Sequence, residues 1–186
     1  SLTTNLEATV PLNNDPKLNV GLDFKYGLTR SITADVTINT DFAQVEEDVQ
    51  QVNLTRFSLF FPEKRDFFLE GQGIFGFSGQ GDGGPSDGSG DVPTMFFSRR
   101  IGLSKGQPVP AIAGARVTGK AGDFDLGLIN IQTDNKPSAD AVATNFSVVR
   151  IKRDILRRSN IGFLVPRRGP SMNHNDSNFT LGIDAN

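Results

Sequence analysis

The feature that most constrains this chain is a two-residue alternation whose polar positions carry charges in mid-run. From Leu18 to Leu28 the even positions are Leu18, Val20, Leu22, Phe24, Tyr26 and Leu28, and the odd ones are Asn19, Gly21, Asp23, Lys25 and Gly27. Beyond Thr29-Arg30-Ser31, the residues Ile32, Ala34, Val36, Ile38 and Phe42 alternate with Thr33, Asp35, Thr37, Asn39 and Asp41. Side chains two apart share one face of a strand, so each run has an apolar face and a polar one. The short polar turn between the runs predicts a hairpin. Each run spans about ten residues, the length that a tilted membrane-crossing strand requires.

The pattern returns along the chain. Leu2, Leu6, Ala8, Val10 and Leu12 alternate with polar partners, and so do Ala113, Ala115 and Val117 with Gly114, Arg116, Thr118 and Lys120. Gly122-Asp123 turns the chain into 124–132. Val149 and Ile151 face away from Arg150, Lys152 and Asp154, and a turn at Arg157–Ser159 leads into Ile161, Phe163 and Val165. Strands are expected at about 2–12, 18–28, 31–42, 94–101, 111–121, 124–132, 145–155, 160–166 and 178–186. Two regions break the rhythm. Residues 43–77 hold Val45, Val49 and Val52 at helix-like spacing and then a phenylalanine cluster, which predicts a short helical or irregular inward segment acting as a plug. Residues 78–92 have the composition of a flexible loop, and 166–178 form a second polar loop.

Composition agrees with short strands and turns: 37% of the 186 residues are hydrophobic, with 20 Gly and 10 Pro. A net charge of −2, from 19 basic and 21 acidic residues, excludes the strong positive field of a nucleic-acid binder. Cysteine is absent, which removes disulfides and thiolate metal sites. No run reaches the roughly 18 apolar residues of a membrane-spanning helix. Ser1 is no initiator methionine and no signal peptide opens the chain, so the sequence is expected to start inside a longer gene product. A soluble β-sandwich also alternates. Charges of both signs in mid-strand and the strand length favour a barrel with a wet or plugged lumen. The lack of Trp, with Tyr26 as the single tyrosine, thins the expected aromatic girdle.

Two strings carry a family resemblance: TDFAQVEEDVQQVNLTRFSLFFPEKRDFFLEG at 40–71 and FFSRRIG at 96–102. Together with GLDFKYGLT, GARVTGKAGDFDLGLINIQT and NFSVVRIKRD, they make most of the chain resemble a bacterial family of outer-membrane β-barrel domains of unknown function, the DUF5916 type. The resemblance implies a barrel that follows an N-terminal module similar to family-nine carbohydrate-binding modules. That module is not in this sequence, nor are the later barrel strands. Some members carry the label of membrane-associated hydrolase, with no catalytic motif to transfer. Where the family's motif carries Pro, this chain has Asp66, which implies a looser local turn.

The charged residues divide into two groups. Asp41, Glu46, Asp48, Glu63, Lys64, Arg65, Glu70, Arg99 and Arg100 are expected to form a charge network in the lumen or plug, either a pathway or a structural set of ion pairs. Asp23, Lys25, Asp35, Arg116, Lys120, Arg150 and Lys152 are expected to face the lumen from the strands. The acidic stretch of Asp41, Glu46, Glu47 and Asp48 allows a carboxylate pair for glycoside hydrolysis or a calcium site, but a salt-bridged segment is favoured. The loop from Asp82 to Asp91 lacks the terminal Glu and flanking helices of an EF-hand. Gly71-Gln-Gly73-Ile-Phe-Gly76 matches a dinucleotide fingerprint by letter, with no helix pattern after it. His174 is the single histidine, which excludes a multi-histidine metal site, and no nucleophile-elbow motif accompanies it.

The expected architecture is all-β, an incomplete antiparallel up-and-down membrane barrel with 1–186 as part of one domain. The expected function is a pore wall or surface scaffold in the bacterial outer membrane, linked to glycan binding or uptake through the missing module. Its partner is outer-membrane lipid; no cofactor, metal or nucleic acid is expected. The alternatives are a membrane-associated hydrolase acting on glycans and a soluble extracellular glycan-binding sandwich.

Overall fold

The computed structural model describes residues 21–39, 63–78, 94–104, 107–156, 159–170 and 177–186. Alternating runs become strands where expected: β1 is Leu22–Gly27 and β2 is Ile32–Ile38. The turn between them is held by the Leu28 N–H on the Ile32 carbonyl and by Thr29 Oγ1, which accepts from the N–H groups of Ser31 and Ile32. A single helical turn, α1, covers Asp66–Leu69. Two short strands pair with each other, β3 (Leu103–Ser104) and β4 (Gln107–Pro108). Four long strands follow: β5 (Ala111–Ala121), β6 (Phe124–Thr133), β7 (Asn145–Leu156) and β8 (Ser159–Gly169). β9 (Asn178–Phe179) and β10 (Gly182–Ala185) end the chain.

All but β3 and β4 belong to one antiparallel sheet of order β1-β2-β5-β6-β7-β8-β10, with β9 also on β8. The fold is therefore all-β. Among the described residues the sheet does not close: β1 forms one edge, and β9 with β10 the other. No described helix is long and apolar enough to cross a membrane, which says nothing about crossing by strands.

The two ends of the sheet differ. At one end the strands are joined two by two through the short connections 28–31, 122–123 and 157–158. At the other end the strands are separated in sequence by the long connections 39–110, 134–144 and 170–181.

Several expected boundaries change. Residues 94–101 are not a strand but an extended stretch ending in a 3-10 turn at Ser98–Arg100. The carbonyls of Ser98 and Ile101 turn to accept from Arg65, whereas a strand would aim them at a neighbouring strand. β8 runs past 166, because Pro166 sits where the outer edge changes partner from β10 to β9 and lacks no ladder bond there. The expected strand 178–186 is split in two. At Asp66 the expected looser turn is instead the first residue of α1. The expected strand 2–12, the spacing of Val45, Val49 and Val52, residues 79–92 of the loop expected at 78–92 and residues 171–176 of the loop expected at 166–178 lie outside the described residues.

Among the described residues the buried core lies on one side of the sheet. Phe68, Phe75 and Ile101 pack with Ala111, Ile129, Ile131, Val148 and Leu164. The first three belong to a strap, residues 63–78, and to the 94–104 stretch beside it. The other face is uncovered and apolar: Tyr26 is 58% exposed, and Phe24, Leu128, Phe163 and Ile183 are exposed with it. Pairing makes a continuous row of Tyr26, Ala34, Val117, Leu128, Val149 and Val165 on that face. The next row toward the long connections starts as Phe24, Val36 and Ala115 and becomes polar at Asn130, Ser147 and Arg167. The row after it changes likewise, from Leu22, Ile38 and Ala113 to Gln132 and Asn145. The apolar band therefore reaches at least two rows further toward the long connections on β1, β2 and β5 than on β6, β7 and β8.

Candidate functional site

Three arginine clasps hold the strap, one to the 94–104 stretch and two to the sheet. In the first, the Arg65 guanidinium grips Glu63 through both oxygens, with Nε to Oε1 at 2.8 Å and Nη2 to Oε2 at 2.7 Å. The same guanidinium donates to the carbonyls of Ile101 (2.7 Å) and Ser98 (2.8 Å) and lies 4.2 Å from the centre of the Phe68 ring. Ser98 Oγ donates to Glu63 Oε2 at 2.7 Å, so this clasp ties the strap to the 94–104 stretch. Burial alone would raise the Glu63 pKa, but the Arg65 hydrogen bonds and charge outweigh it and hold the carboxyl below its ordinary value.

The second clasp is Arg116 on β5, 2% exposed. It donates to Asp35 on the neighbouring β2, to Glu70 Oε2 at 2.9 Å and to the backbone carbonyls of Phe67 and Glu70. Those two carbonyls belong to the end of α1, where a one-turn helix leaves its acceptors without intrahelical partners. Lys25 on β1 donates to the other oxygen of Glu70. Lys25 first, then Arg116, lowers the pKa of Glu70.

The third clasp is Arg150 on β7, 1% exposed. It meets Asp184 on β10 in a two-pronged pair, 2.6 Å from Nη1 to Oδ1 and 2.7 Å from Nη2 to Oδ2. Asp184 Oδ2 also accepts the Ser78 N–H at 2.8 Å, and Arg150 Nε donates to the Ile74 carbonyl. Lys152 donates to the Gly73 carbonyl.

Between the clasps, aromatic rings of the strap enter places where the sheet has only glycine. A Cβ on Gly127 would come within 2.8 Å of the Phe75 ring, and one on Gly182 within 2.7 Å of Phe77. At Gly114 the tight neighbour is the Thr37 methyl of β2, at 2.9 Å, with the Phe67 ring in ordinary contact at 3.4 Å. Gly71, at φ 71°, passes against Thr118 in a conformation that L side chains rarely adopt. The strap is thus fitted to the sheet by shape as well as by charge.

Of the residues singled out from the sequence, Lys25, Asp35, Glu63, Arg65, Glu70, Arg116, Arg150 and Lys152 come together here. Lys120 is at the short-turn end, exposed, and pairs with Asp154 at 2.8 Å and Asp125 at 3.7 Å. Asp23 shares the strap-side face with Lys25 but is exposed at the β1 edge. Lys64 and Arg100 are exposed, and Arg99 is buried. The 96–102 motif meets the strap through Ser98 Oγ and through the carbonyls of Ser98 and Ile101. Asp41, Glu46, Glu47, Asp48 and His174 lie outside the described residues. Asp184 and Ser98 went unrecognised in the sequence. The alternation that sets Ile183 and Ala185 on the outer face already sets Asp184 on the inner one; no comparable signal marks Ser98.

Chemically, these groups are committed to holding. Glu63 accepts from the backbone N–H groups of Lys64 and Arg65, from Arg65 Nε and Nη2, and from Ser98 Oγ, which is unlike a general acid or base waiting for a substrate. Among the described residues no three His, Cys, Asp or Glu are grouped to hold a metal. In comparisons with known proteins, a family model described as a domain of unknown function, DUF5916, matches residues 2–115. That match covers β1, β2, the strap and the start of β5. No curated protein and no solved structure matches the chain.

Proposed function

The chain belongs to the DUF5916 family, a domain of unknown function, and from its two-faced sheet we propose that it is a section of an outer-membrane β-barrel wall, plugged on its inner side by the strap. The observation that carries this reading is the inversion of the sheet. Arg116 and Arg150 are buried on one face, while a band of leucine, valine, isoleucine and aromatic residues stands uncovered on the other. In water such a face is a liability of aggregation. Against lipid it is the stable arrangement.

Two further features support the reading. β5 to β8 are 10 to 12 residues long, enough to cross a bilayer at a tilt. Short turns at one end and long connections at the other match the periplasmic and external ends of such barrels.

The glycine sockets and clasps favour a wall with a seated plug, serving as a scaffold, over an open water channel along these strands. The test is to express the full-length protein with its natural leader and fractionate the cells. The reading expects recovery from the outer membrane with heat-modifiable gel migration. Recovery as a monodisperse protein without detergent would sink it.

A further inference from the structure

The outer face carries one polar patch whose residues play no part in holding the strap. We propose that this patch, at the long-connection end of β6, β7 and β8, binds the anionic phosphate headgroup of a membrane lipid, with Arg167 as its anchoring cation. The proposal rests on the membrane-wall reading above.

The patch is built by pairing. Asn130 on β6, Ser147 on β7 and Arg167 on β8 are consecutive partners in one row, and Gln132 and Asn145 are partners in the next. The amides satisfy one another. Asn130 Nδ2 donates to Asn145 Oδ1 (3.1 Å) and Ser147 Oγ (2.7 Å), and Asn145 Nδ2 returns bonds to Asn130 Oδ1 and Gln132 Oε1, both at 3.3 Å. Ser147 Oγ donates to Asn145 Oδ1 at 2.9 Å. These side chains form a neutral, fixed platform with little donor capacity left for a ligand.

Arg167 differs from its neighbours. It is exposed and makes no ion pair among the described residues, in contrast to the clasp arginines. One of its terminal nitrogens lies 3.8 Å from where a Cβ on Gly169 would stand, so the guanidinium folds toward the open place left by that glycine, beside Asn145. A guanidinium presents five N–H donors in a planar fork that matches phosphate oxygens, and it is less strongly hydrated than an ammonium group. Phe179, 62% exposed, is the next residue in the same row and offers an apolar surface beside the cation.

Position selects the partner. On β6 to β8 the patch begins where the apolar band stops, and the strands end just beyond it, at Thr133 and Gly169. Headgroups lie at that depth. A second copy of the chain fits less well, because the patch contains a cation and no carboxylate to meet the same cation of a symmetric partner.

The test uses full-length protein in phosphatidylcholine nanodiscs doped with phosphatidic acid or, separately, with diacylglycerol, and reads retained lipid by native mass spectrometry. Wild type is expected to retain phosphatidic acid in preference to diacylglycerol. Arg167→Gln should lower that retention about tenfold, the scale of losing a charge-assisted contact. Arg153→Gln, which removes an exposed outward cation at the opposite end, should leave it unchanged. Equal retention by Arg167→Gln, or no preference for phosphatidic acid in wild type, overturns the proposal. Loss of a dimer mass in Arg167→Gln, with lipid retention unchanged, overturns it in favour of a second copy. Protein that enters none of the nanodiscs fails the membrane reading itself, and the lipid site with it.

Discussion

Arg150 on β7 and Asp184 on β10 form a two-pronged ion pair across the intervening strand β8, and they meet above Gly162. A Cβ at Gly162 would stand 2.8 Å from both Arg150 Nη1 and Asp184 Oδ1. The glycine is what lets two strands that do not touch share a salt bridge, and the bridge in turn receives the end of the strap through the Ser78 N–H.

Gly162→Ala should therefore act as a broken ion pair and not as a mild surface change. Parting a buried pair costs about 3–5 kcal/mol, because each charge is left desolvated. The expected outcome is a loss of that order in chemical denaturation. The double variant Arg150→Met with Asp184→Leu should lose less than either single change. If both singles prove neutral, the pair contributes no stability.

The glycine sockets predict a coupling. Phe75 is 3% exposed, and Phe75→Ala should cost about 3–5 kcal/mol. Gly127→Ala should cost about 1–3 kcal/mol in the wild-type background, since the added methyl meets the ring. In the Phe75→Ala background the same change should cost less, with the contact to the Ile74 methyl remaining. Additive losses in a double-mutant cycle would rule out the knob-in-socket account.

Two members of the Arg116 clasp, Glu70 and Arg116 itself, should respond differently to removal. Glu70 is half exposed, so Glu70→Gln is expected to change stability by less than about 1 kcal/mol. Arg116→Met leaves Asp35 buried beside an apolar chain and should cost about 3 kcal/mol or more. Denaturation midpoints of the two variants make the comparison, and equal losses would contradict it.

Acid should loosen the strap through Glu63. Its pKa is lowered in the folded chain from the ordinary 4.5, so its contribution is fully present above that pH. The contribution falls as the pH drops through the lower folded value, because the unfolded chain then binds the proton more readily. Limited proteolysis of wild type should accelerate below about pH 4.5. Glu63→Gln should be cut faster at neutral pH, with a flatter dependence on acid. A steep acid response in that variant would assign the effect to other groups.

The outer face gives a test that depends on the surroundings. Val149→Lys places a cation in the middle of the apolar band. For a lipid-facing position near the bilayer midplane the cost is about 2–4 kcal/mol, with reduced assembly in the membrane fraction. On a soluble protein a substitution at a partly exposed position usually changes stability by about 0.5 kcal/mol or less. Unchanged assembly would remove the lipid from the account of this face.

How much of this was legible beforehand can be seen from particular residues. Period-two alternation is a local property of the backbone, so the faces of Tyr26, Val117, Arg116 and Arg150 could be read in sequence, and the turns at Thr29-Arg30-Ser31 and Gly122-Asp123 with them. The strap motif was visible as charges among phenylalanines. Its partners were not, because Glu70 meets Arg116 and Ser78 meets Asp184 only after strands far apart in sequence are brought into register.

Alternation alone makes the chain β, assigns side chains to faces, and requires one face to hold charge while the other repels water. Which charges pair, that Gly127, Gly162 and Gly182 are sockets and not mere breaks, and that 94–101 turns instead of extending emerge when the strands assemble. The physical reason is range. Alternation acts between neighbours two residues apart, whereas an ion pair or a ring over a glycine depends on the stagger of several strands, and that stagger is set by the whole sheet packing against its strap.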